Sequence, residues 1–225
     1  MEQRIAIFGA GGFGREVVQL IRDINGQHAT GQRRWSCAGF VVDSGLLGQA
    51  QVAGLPVLGD IDWLAANPDV LVVVAVGAPA ARRRITRRIE ARCPNVFATL
   101  VHPRAWVGDH VEVGAGSVIC AGALVTTDIH IGAHVHVNIG CTVGHDAVLD
   151  DFATLNPSVN VSGNVRIHEG TEVGTGSVII PGCTLGHWAI VGAGSVVTRP
   201  VPENVTVVGS PARVIKERAP GWEAV

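Results

Sequence analysis

Residues 110–149 read HVEVGAGSVICAGALVTTDIHIGAHVHVNIGCTVGHDAVL, and an aliphatic residue returns at every sixth position of this stretch. The period extends in both directions without an insertion, and the residue four positions after each aliphatic one is small or short. The aliphatic residues are Val101, Val107, Val113, Ile119, Val125, Ile131, Val137, Val143, Leu149, Leu155, Val161, Ile167, Val173, Ile179, Leu185, Val191 and Val197. A repeated six-residue unit therefore organises this part of the chain.

The period predicts a parallel β-helix. Each unit supplies one short strand and one turn, three units close a triangular coil, and coils stack at a spacing of about 4.8 Å. The aliphatic positions fill the interior of the prism. Residues 18 apart in sequence then lie directly above one another. A glycine often follows the aliphatic residue, where we expect a turn with little room for a side chain.

The first hundred residues have a different pattern, in which apolar strands alternate with helices. We predict strands at residues 5–8, 38–42 and 70–76 and helices at residues 16–24 and 80–92. This alternation is typical of a small parallel α/β sheet. The sequence therefore predicts two domains, an α/β domain at residues 1–101 and an all-β domain at residues 102–225.

The composition bounds the function. Apolar residues make up 47 % and charged residues 16 % of the 225 residues, with a formal net charge of −2. These values exclude a disordered chain and do not indicate a nucleic-acid binder. Since no apolar run is long enough for a membrane helix, we expect a cytoplasmic protein that does not bind a membrane. The five cysteines share no C-x-x-C spacing, so neither a disulfide framework nor a structural zinc site is predicted.

Several motifs in this order are similar to those of one family. They are residues 7–12 (IFGAGG), 54–59 (GLPVLG), the hexapeptide repeats, 143–146 (VGHD) and 208–213 (VGSPAR). The chain resembles the NeuD/PglD-like bacterial sugar acyltransferases, in which a Rossmann-like domain precedes a left-handed β-helix. The resemblance implies the left-handed form, a homotrimer, acetyl-CoA as cosubstrate and no metal. It also implies a nucleotide-linked amino sugar as the acceptor.

A glycine loop (Gly9–Gly14) follows the first strand and precedes the first helix. Glycines allow a backbone to approach a pyrophosphate, and the helix N-terminus offers N–H donors. An NAD site with Asp43 on the ribose is the literal interpretation, but about 100 residues are too few for a full dinucleotide fold. The resemblance implies a nucleotide-diphosphate sugar instead, and many relatives carry histidine where this chain has Phe13. The implied contacts are Gly9, Gly11, Gly12, Gly14, Asp43 and Gly77.

His145 and Asp146 follow an aliphatic position and are expected in an outward-facing turn. Acyl transfer to an amine or hydroxyl needs a base, which an imidazole supplies when a carboxylate orients it. The resemblance implies that His145 is the general base and that Asp146, where relatives typically have glutamate, is its partner. It also implies that Asn138 helps to position the base or the substrate.

The coil spacing places Gly163, 18 residues after His145, beside the imidazole. A glycine there leaves room for a thioester and can offer its N–H to the developing oxyanion. The resemblance implies acetyl-CoA contacts along an intersubunit groove, at Thr154, Gly163, Thr175 and Ala193. We expect direct attack on the thioester, since Cys141 and Cys183 occupy inward positions and Cys120, in a turn, has no base at a clear spacing.

The remaining histidines and a run of arginines allow other interpretations. His130, His134 and His136 form H-x-x-x-H-x-H, which could bind zinc between subunits as in a γ-type carbonic anhydrase, although solvated or interface histidines are favoured. Four further histidines are expected at the surface: His102, His110, His168 and His187. The arginines of the second helix are expected to form a solvated face rather than a nucleotide clamp: Arg82, Arg83, Arg84, Arg87 and Arg88.

The sequence therefore predicts an acetyl-CoA-dependent N-acetyltransferase that acts on a nucleotide-linked 4-amino sugar in surface-glycan biosynthesis. Sialic acid O-acetylation shares every motif and stays open. A γ-type carbonic anhydrase, an NAD-dependent oxidoreductase and a purely structural solenoid are more distant alternatives.

Overall fold

The computed structural model describes residues 2–27, 34–43, 45, 48, 50–93 and 97–224. Its N-terminal part is a five-stranded sheet in the order β3-β4-β2-β1-β5, parallel except for the pair β3–β4. The strands are β1 (Glu2–Phe8), β2 (Arg34–Val41), β3 (Gln51–Val52), β4 (Leu55–Gly59) and β5 (Leu71–Val74). The helices are α1 (Gly12–Gly26), α2 (Ile61–Ala66) and α3 (Pro79–Arg92). The predicted α/β fold of the N-terminal part is confirmed.

The C-terminal part is a left-handed parallel β-helix with three faces. Face 1 contains β6 (Leu100–Val101), β9 (Val118–Ile119), β12 (His136–Val137), β15 (Thr154–Leu155), β18 (Glu172–Val173), β21 (Ile190–Val191), β23 (Val205–Val208) and the antiparallel β24 (Arg213–Glu217). Face 2 contains β7 (Trp106–Val107), β10 (Leu124–Val125), β13 (Thr142–Val143), β16 (Asn160–Val161), β19 (Val178–Ile179) and β22 (Val196–Val197). Face 3 contains β8 (Val111–Val113), β11 (Ile129–Ile131), β14 (Val148–Leu149), β17 (Arg166–Ile167) and β20 (Thr184–Leu185). The chain visits the faces in the order 1, 2, 3, so each turn lies at a corner named by its two faces.

The predicted stacking and core are confirmed. Strands pair at a separation of 18 residues, as in Val137 with Leu155 and Val143 with Val161. From Ile119 to Val197 every aliphatic position is buried. Val101 is 38 % exposed because the first coil has no coil beneath it.

Crowding by the next coil accounts for the glycines that follow the aliphatic positions. A Cβ on Gly108 would lie 2.1 Å from the carbonyl oxygen of Thr126, so only glycine fits there. The left-handed backbone conformation falls two residues later, and Asp146, with a φ of 58°, adopts it. Aspartate is among the residues that tolerate this region best.

Arg82 of α3 is fully buried between the two domains. Its guanidinium donates hydrogen bonds to the carbonyl oxygens of Val76 and Gly77 (2.7 and 2.8 Å) in the N-terminal domain. It also donates to the carbonyl oxygens of His134 (2.9 Å) and Phe152 (2.8 Å) in the β-helix. Burial lowers the pKa of Arg82 to about 9, so the group remains charged at neutral pH. The N-terminal domain therefore packs on face 1.

The expected solvated arginine face is wrong for two of its members. Arg82 is buried as described, and Arg83 forms ion pairs with Glu169 and Glu223, both at 3.2 Å, while its guanidinium lies 4.2 Å from the ring centroid of Trp188. Glu223 belongs to a short 3₁₀ helix at Trp222–Ala224. One side of α3 is thus a domain interface, because the β-helix and the C-terminal segment supply acceptors that a helix taken alone does not reveal.

The expected outward orientation of the histidines is also wrong at three positions. His134 and His136 are buried under the N-terminal domain, where His134 contacts Phe97 and Phe152 and His136 contacts Phe13. His102 is buried too, with its Nε2 3.0 Å from a carboxylate oxygen of Asp23 on α1. These corrections share one cause, since all three rings lie where the first domain covers the β-helix. The predicted exposure is confirmed for His110, His130 and His187.

The buried histidines predict acid sensitivity. Burial, with a contribution from the Arg82 charge, lowers the pKa of His134 from 6.5 to about 4. The unfolded chain therefore binds a proton that the folded chain does not, and folding stability falls as the pH drops from 6.5 toward 4. We expect His134 to account for a loss of about 3 kcal/mol in the free energy of unfolding at pH 4. Urea unfolding between pH 7 and pH 4 measures this loss.

His134→Asn should reduce that pH dependence, because asparagine tolerates the same left-handed backbone and does not titrate, while the buried His136 still contributes. His110→Asn is the matched control, since His110 has nearly the same φ (58° against 55°) but is exposed. Equal pH slopes in the wild type and His134→Asn would contradict the account.

Candidate active site

The glycine loop opens onto a cavity at the carboxyl ends of β1, β2 and β5. This glycine-loop cavity has a volume of about 410 Å³. Its lining comprises Phe8, Gly9, Ala10, Gly11, Gly12, Phe13, Val42, Asp43, Ala75, Val76, Gly77 and Ile85. Five of the six predicted nucleotide contacts therefore line one cavity. The sixth, Gly14, does not line it and instead packs closely against Gly9.

Two glycines of the loop, Gly14 and Gly9, are required by the backbone geometry. A Cβ on Gly14 would lie 2.0 Å from the carbonyl oxygen of Gly9, so α1 approaches β1 only because position 14 has no side chain. Gly9 has a φ of 109°, which L side chains rarely adopt. Gly11 and Gly12 have open space where a Cβ would point. The first turn of α1 carries no acidic residue, so its N–H groups can receive an anion.

Asp43 lies at the end of β2 and forms an ion pair with Arg88 of α3. The distance between Asp43 Oδ1 and Arg88 Nη1 is 2.8 Å, and both side chains are about half exposed. The expectation that Arg88 belongs to a solvated face did not anticipate this pair. Arg88 thus holds the carboxylate at the rim of the glycine-loop cavity.

His145 and Asp146 lie together at corner 2–3. Nδ1 of His145 is 2.7 Å from Oδ2 of Asp146, and the two side chains are 61 % and 56 % exposed. A carboxylate at Nδ1 favours the tautomer in which Nδ1 carries the proton and Nε2 has a free lone pair. The shorter carboxylate of aspartate therefore reaches the imidazole.

Gly163 lies beside the imidazole, one coil further along the same corner. A Cβ at position 163 would be 2.6 Å from both Cε1 and Nε2 of His145, so any side chain would displace the ring. The N–H of Gly163 meets no acceptor among the described residues. An imidazole nitrogen with a free lone pair and an N–H donor without an acceptor therefore share this corner, an arrangement that could support acyl transfer.

The other expected contacts lie elsewhere on the prism. Thr175 and Ala193 are exposed at corner 1–2, where Asn138 is buried and donates from its amide to the carbonyl oxygen of Leu155 at 2.8 Å. Face 2 separates this corner from His145 and Gly163. One chain therefore does not bring the two sets together.

Thr154 lies at the interface between the two domains. Its side chain is 1 % exposed, its hydroxyl donates to the carbonyl oxygen of Gly77 at 3.2 Å, and it accepts from Arg82 at 2.8 Å. The N-terminal domain covers this side chain, so any contact of Thr154 with acetyl-CoA would have to come from its backbone.

The cysteines fit core positions. Cys120, Cys141 and Cys183 are all buried, including Cys120, whose turn the N-terminal domain covers. Burial raises the pKa of Cys120 to about 12 and that of Cys141 to about 11, so neither forms a thiolate at neutral pH.

The zinc alternative has no geometric support in the residues that the structure describes. Among them, no group of three or more histidine, cysteine and carboxylate side chains is arranged to hold a metal ion. His134 and His136 pack inside the protein, and His130 is paired with Glu112 at 3.1 Å.

The part of the chain that the structure describes contains no helix that is long and apolar enough to cross a membrane.

Comparisons with known proteins agree with this arrangement. Residues 4–89 match the family described as the PglD N-terminal domain, and residues 164–199 match the bacterial transferase hexapeptide family. The chain is 34 % identical over 221 residues to the GDP-perosamine N-acetyltransferase of Escherichia coli O157:H7, which covers 93 % of this chain and 95 % of the relative.

Solved structures give the same result over the full fold. The perosamine N-acetyltransferase of Caulobacter crescentus, in complex with CoA and GDP-perosamine, matches with a TM-score of 0.85 at 30 % identity, covering 95 % of this chain and 97 % of that one. The acetyltransferase domain of PglB from Neisseria gonorrhoeae, in complex with acetyl coenzyme A, matches with a TM-score of 0.83 at 33 % identity, covering 96 % and 100 %. The chain therefore belongs to the NeuD/PglD-like family of acetyl-CoA-dependent sugar acyltransferases.

Proposed function

We propose that the protein transfers an acetyl group from acetyl-CoA to the amine of a nucleotide-linked 4-amino sugar, as a step in surface-glycan biosynthesis. The observation that carries the proposal is the His145–Asp146 pair, whose imidazole lies beside Gly163, a residue whose N–H meets no acceptor among the described residues. Relatives that act on or bind GDP-perosamine make a GDP-linked amino sugar the first acceptor to test. Acetyl-CoA is a cytoplasmic metabolite, so we place the reaction in the cytoplasm.

The chemistry follows from the two groups at corner 2–3. Nε2 of His145 accepts a proton from the acceptor's nitrogen as that nitrogen attacks the carbonyl carbon of the thioester. Asp146 stabilises the imidazolium that forms, and the N–H of Gly163 stabilises the oxyanion. The C–S bond then breaks, the amide remains, and the imidazolium returns the proton to the CoA sulfur. No acyl-enzyme is needed, in line with the raised thiol pKa values of Cys120 and Cys141.

The glycine-loop cavity would hold the nucleotide. The N–H groups at the start of α1 donate hydrogen bonds to the diphosphate, the small residues of the loop leave room for it, and Asp43 contacts the nucleoside. Phe13 stands at the inner end of this cavity with its ring centroid 4.8 Å from that of His136. Its apolar ring replaces a polar contact that relatives with histidine can make.

The proposed reaction uses a second copy of the chain. The N-terminal domain covers face 1, whereas His145 lies at corner 2–3, on the opposite side of the triangular prism. In a homotrimer, corner 1–2 of one copy can meet corner 2–3 of the next, which joins Asn138, Thr175 and Ala193 to His145 and Gly163. Face 2 carries exposed apolar side chains suited to such an interface: Trp106, Leu124 and Val178.

Substitution of the base tests the mechanism. We expect His145→Ala to lower kcat by about 10²- to 10⁴-fold, because the amine loses its proton acceptor while the fold keeps its interior. Steady-state kinetics and light scattering measure turnover and assembly on the same sample. His110→Ala is the matched control, since His110 is another exposed histidine paired with an aspartate on the same corner. A His145→Ala enzyme with wild-type kcat would contradict the assignment.

Product analysis tests the acceptor. We expect mass spectrometry to show a gain of one acetyl group on a GDP-linked 4-amino sugar, with UDP-, dTDP- and CMP-linked sugars compared in parallel. The product should resist mild alkali, because an amide is more stable to base than an ester. Acetylation confined to free or CMP-linked sialic acids would contradict the amine acceptor and favour O-acetylation.

A further inference from the structure

The buried Arg82 makes more contacts than domain docking alone explains. Its five N–H groups are directed at backbone carbonyl oxygens and one hydroxyl, and it forms no ion pair within the described part of the chain. Burying a cation without a carboxylate in direct contact is costly, even though the charge of Glu172 favours the protonated guanidinium, so each acceptor has to be held in place. The hydrogen bonds of Arg82 therefore fix the backbone segments that carry these acceptors.

Two of these acceptors form the edge of the glycine-loop cavity. The carbonyl oxygens of Val76 and Gly77, which line the cavity, accept from the same nitrogen of Arg82. A trans peptide unit is planar, with its N–H opposite its C=O. The N–H groups of Gly77 and Ala78 are therefore turned away from Arg82. Among the described residues, neither of them meets an acceptor.

The other acceptors belong to the β-helix. They are the carbonyl oxygens of His134, Phe152 and Ala153 and the hydroxyl of Thr154, all at or next to corner 3–1. The strand β14 connects the Phe152 turn directly to the turn that carries His145. Thr154 donates in turn to the carbonyl oxygen of Gly77. The cavity edge is thus bonded to the same coils that carry the candidate base.

We propose that Arg82 is a positioning residue for the nucleotide-linked substrate, which turns the N–H of Gly77 toward a phosphate oxygen and fixes this edge of the cavity on the β-helix. The inference rests on the proposed role of the cavity. Free backbone N–H groups are favourable donors to an anion. Because their direction is fixed by the backbone, they bind an anion only at one position. Arg82 itself touches no substrate.

Only arginine can fill this role. Its planar fork presents five donors at fixed angles, so one side chain reaches the cavity edge and two turns of the β-helix together. A lysine retains the charge but offers three donors from one atom. Arg82→Lys therefore keeps a cation at the interface but loses the simultaneous hydrogen bonds to the carbonyl oxygens of Val76, Gly77 and Phe152.

Arg82→Lys is the test, with Arg87→Lys as the matched control on the exposed side of α3. We expect the KM for the sugar nucleotide to rise about 10-fold or more in Arg82→Lys. The KM for acetyl-CoA should stay within about twofold of the wild-type value. The proposed thioester site is at corner 2–3, whereas Arg82 contacts corner 3–1. Binding of GDP, UDP, dTDP and CDP, measured by calorimetry, should weaken in parallel with the KM. Arg87→Lys should match the wild type.

Thr154→Val keeps the test valid if Arg82→Lys does not fold. It removes the second donor to the Gly77 carbonyl without burying a charge, and we expect the KM for the sugar nucleotide to rise by about 2- to 5-fold. Unchanged nucleotide binding, or an equal rise in both KM values, would overturn the inference and leave the proposed function intact. A wild-type protein that binds none of the four nucleotides would overturn both.

Discussion

The hydrogen bonds of the buried Arg82 guanidinium hold the N-terminal domain against one face of a triangular prism, and this placement decides where the functional groups lie. Face 1 is covered, so His134, His136 and Thr154 become interior residues. Faces 2 and 3 and the corner between them remain open. The glycine-loop cavity and the His145 corner consequently lie on different sides of one chain. The proposed mechanism therefore needs a second copy of the chain, and a ring of copies can bring the two parts together.

The β-helix supplies rigidity where acyl transfer needs it. Each coil is fixed by backbone bonds to its neighbours at 18-residue spacing, so His145 and Gly163 cannot drift apart. Asp146 orients the imidazole of His145 from the next position in the sequence. In the proposed mechanism the reacting groups are thereby preorganised on a scaffold, and the N-terminal domain delivers the acceptor.

Local periodicity was sufficient to predict much of the molecule. The six-residue period predicted the coils, the interior and the contact of Gly163 with His145, because each depends on residues at fixed spacing. The docking face was not predictable in this way. His134, Arg82 and Thr154 have ordinary patterns for a turn, a charged helix and a strand, and their burial arises from contacts more than 50 residues apart. Whether a polar residue is buried at such an interface depends on the residues that pack against it, and the local sequence does not reveal those residues.

Activity of mixed trimers tests the shared site most directly. His145→Ala removes the base, and Gly11→Asp places a negative charge in the glycine-loop cavity, where a side chain has room. Each variant alone should be inactive. Trimers containing both, purified through two different tags, should recover about one third of wild-type activity, because one of three interfaces joins an intact cavity to an intact base. Mixed trimers that remain as inactive as the parents would contradict a site shared between copies.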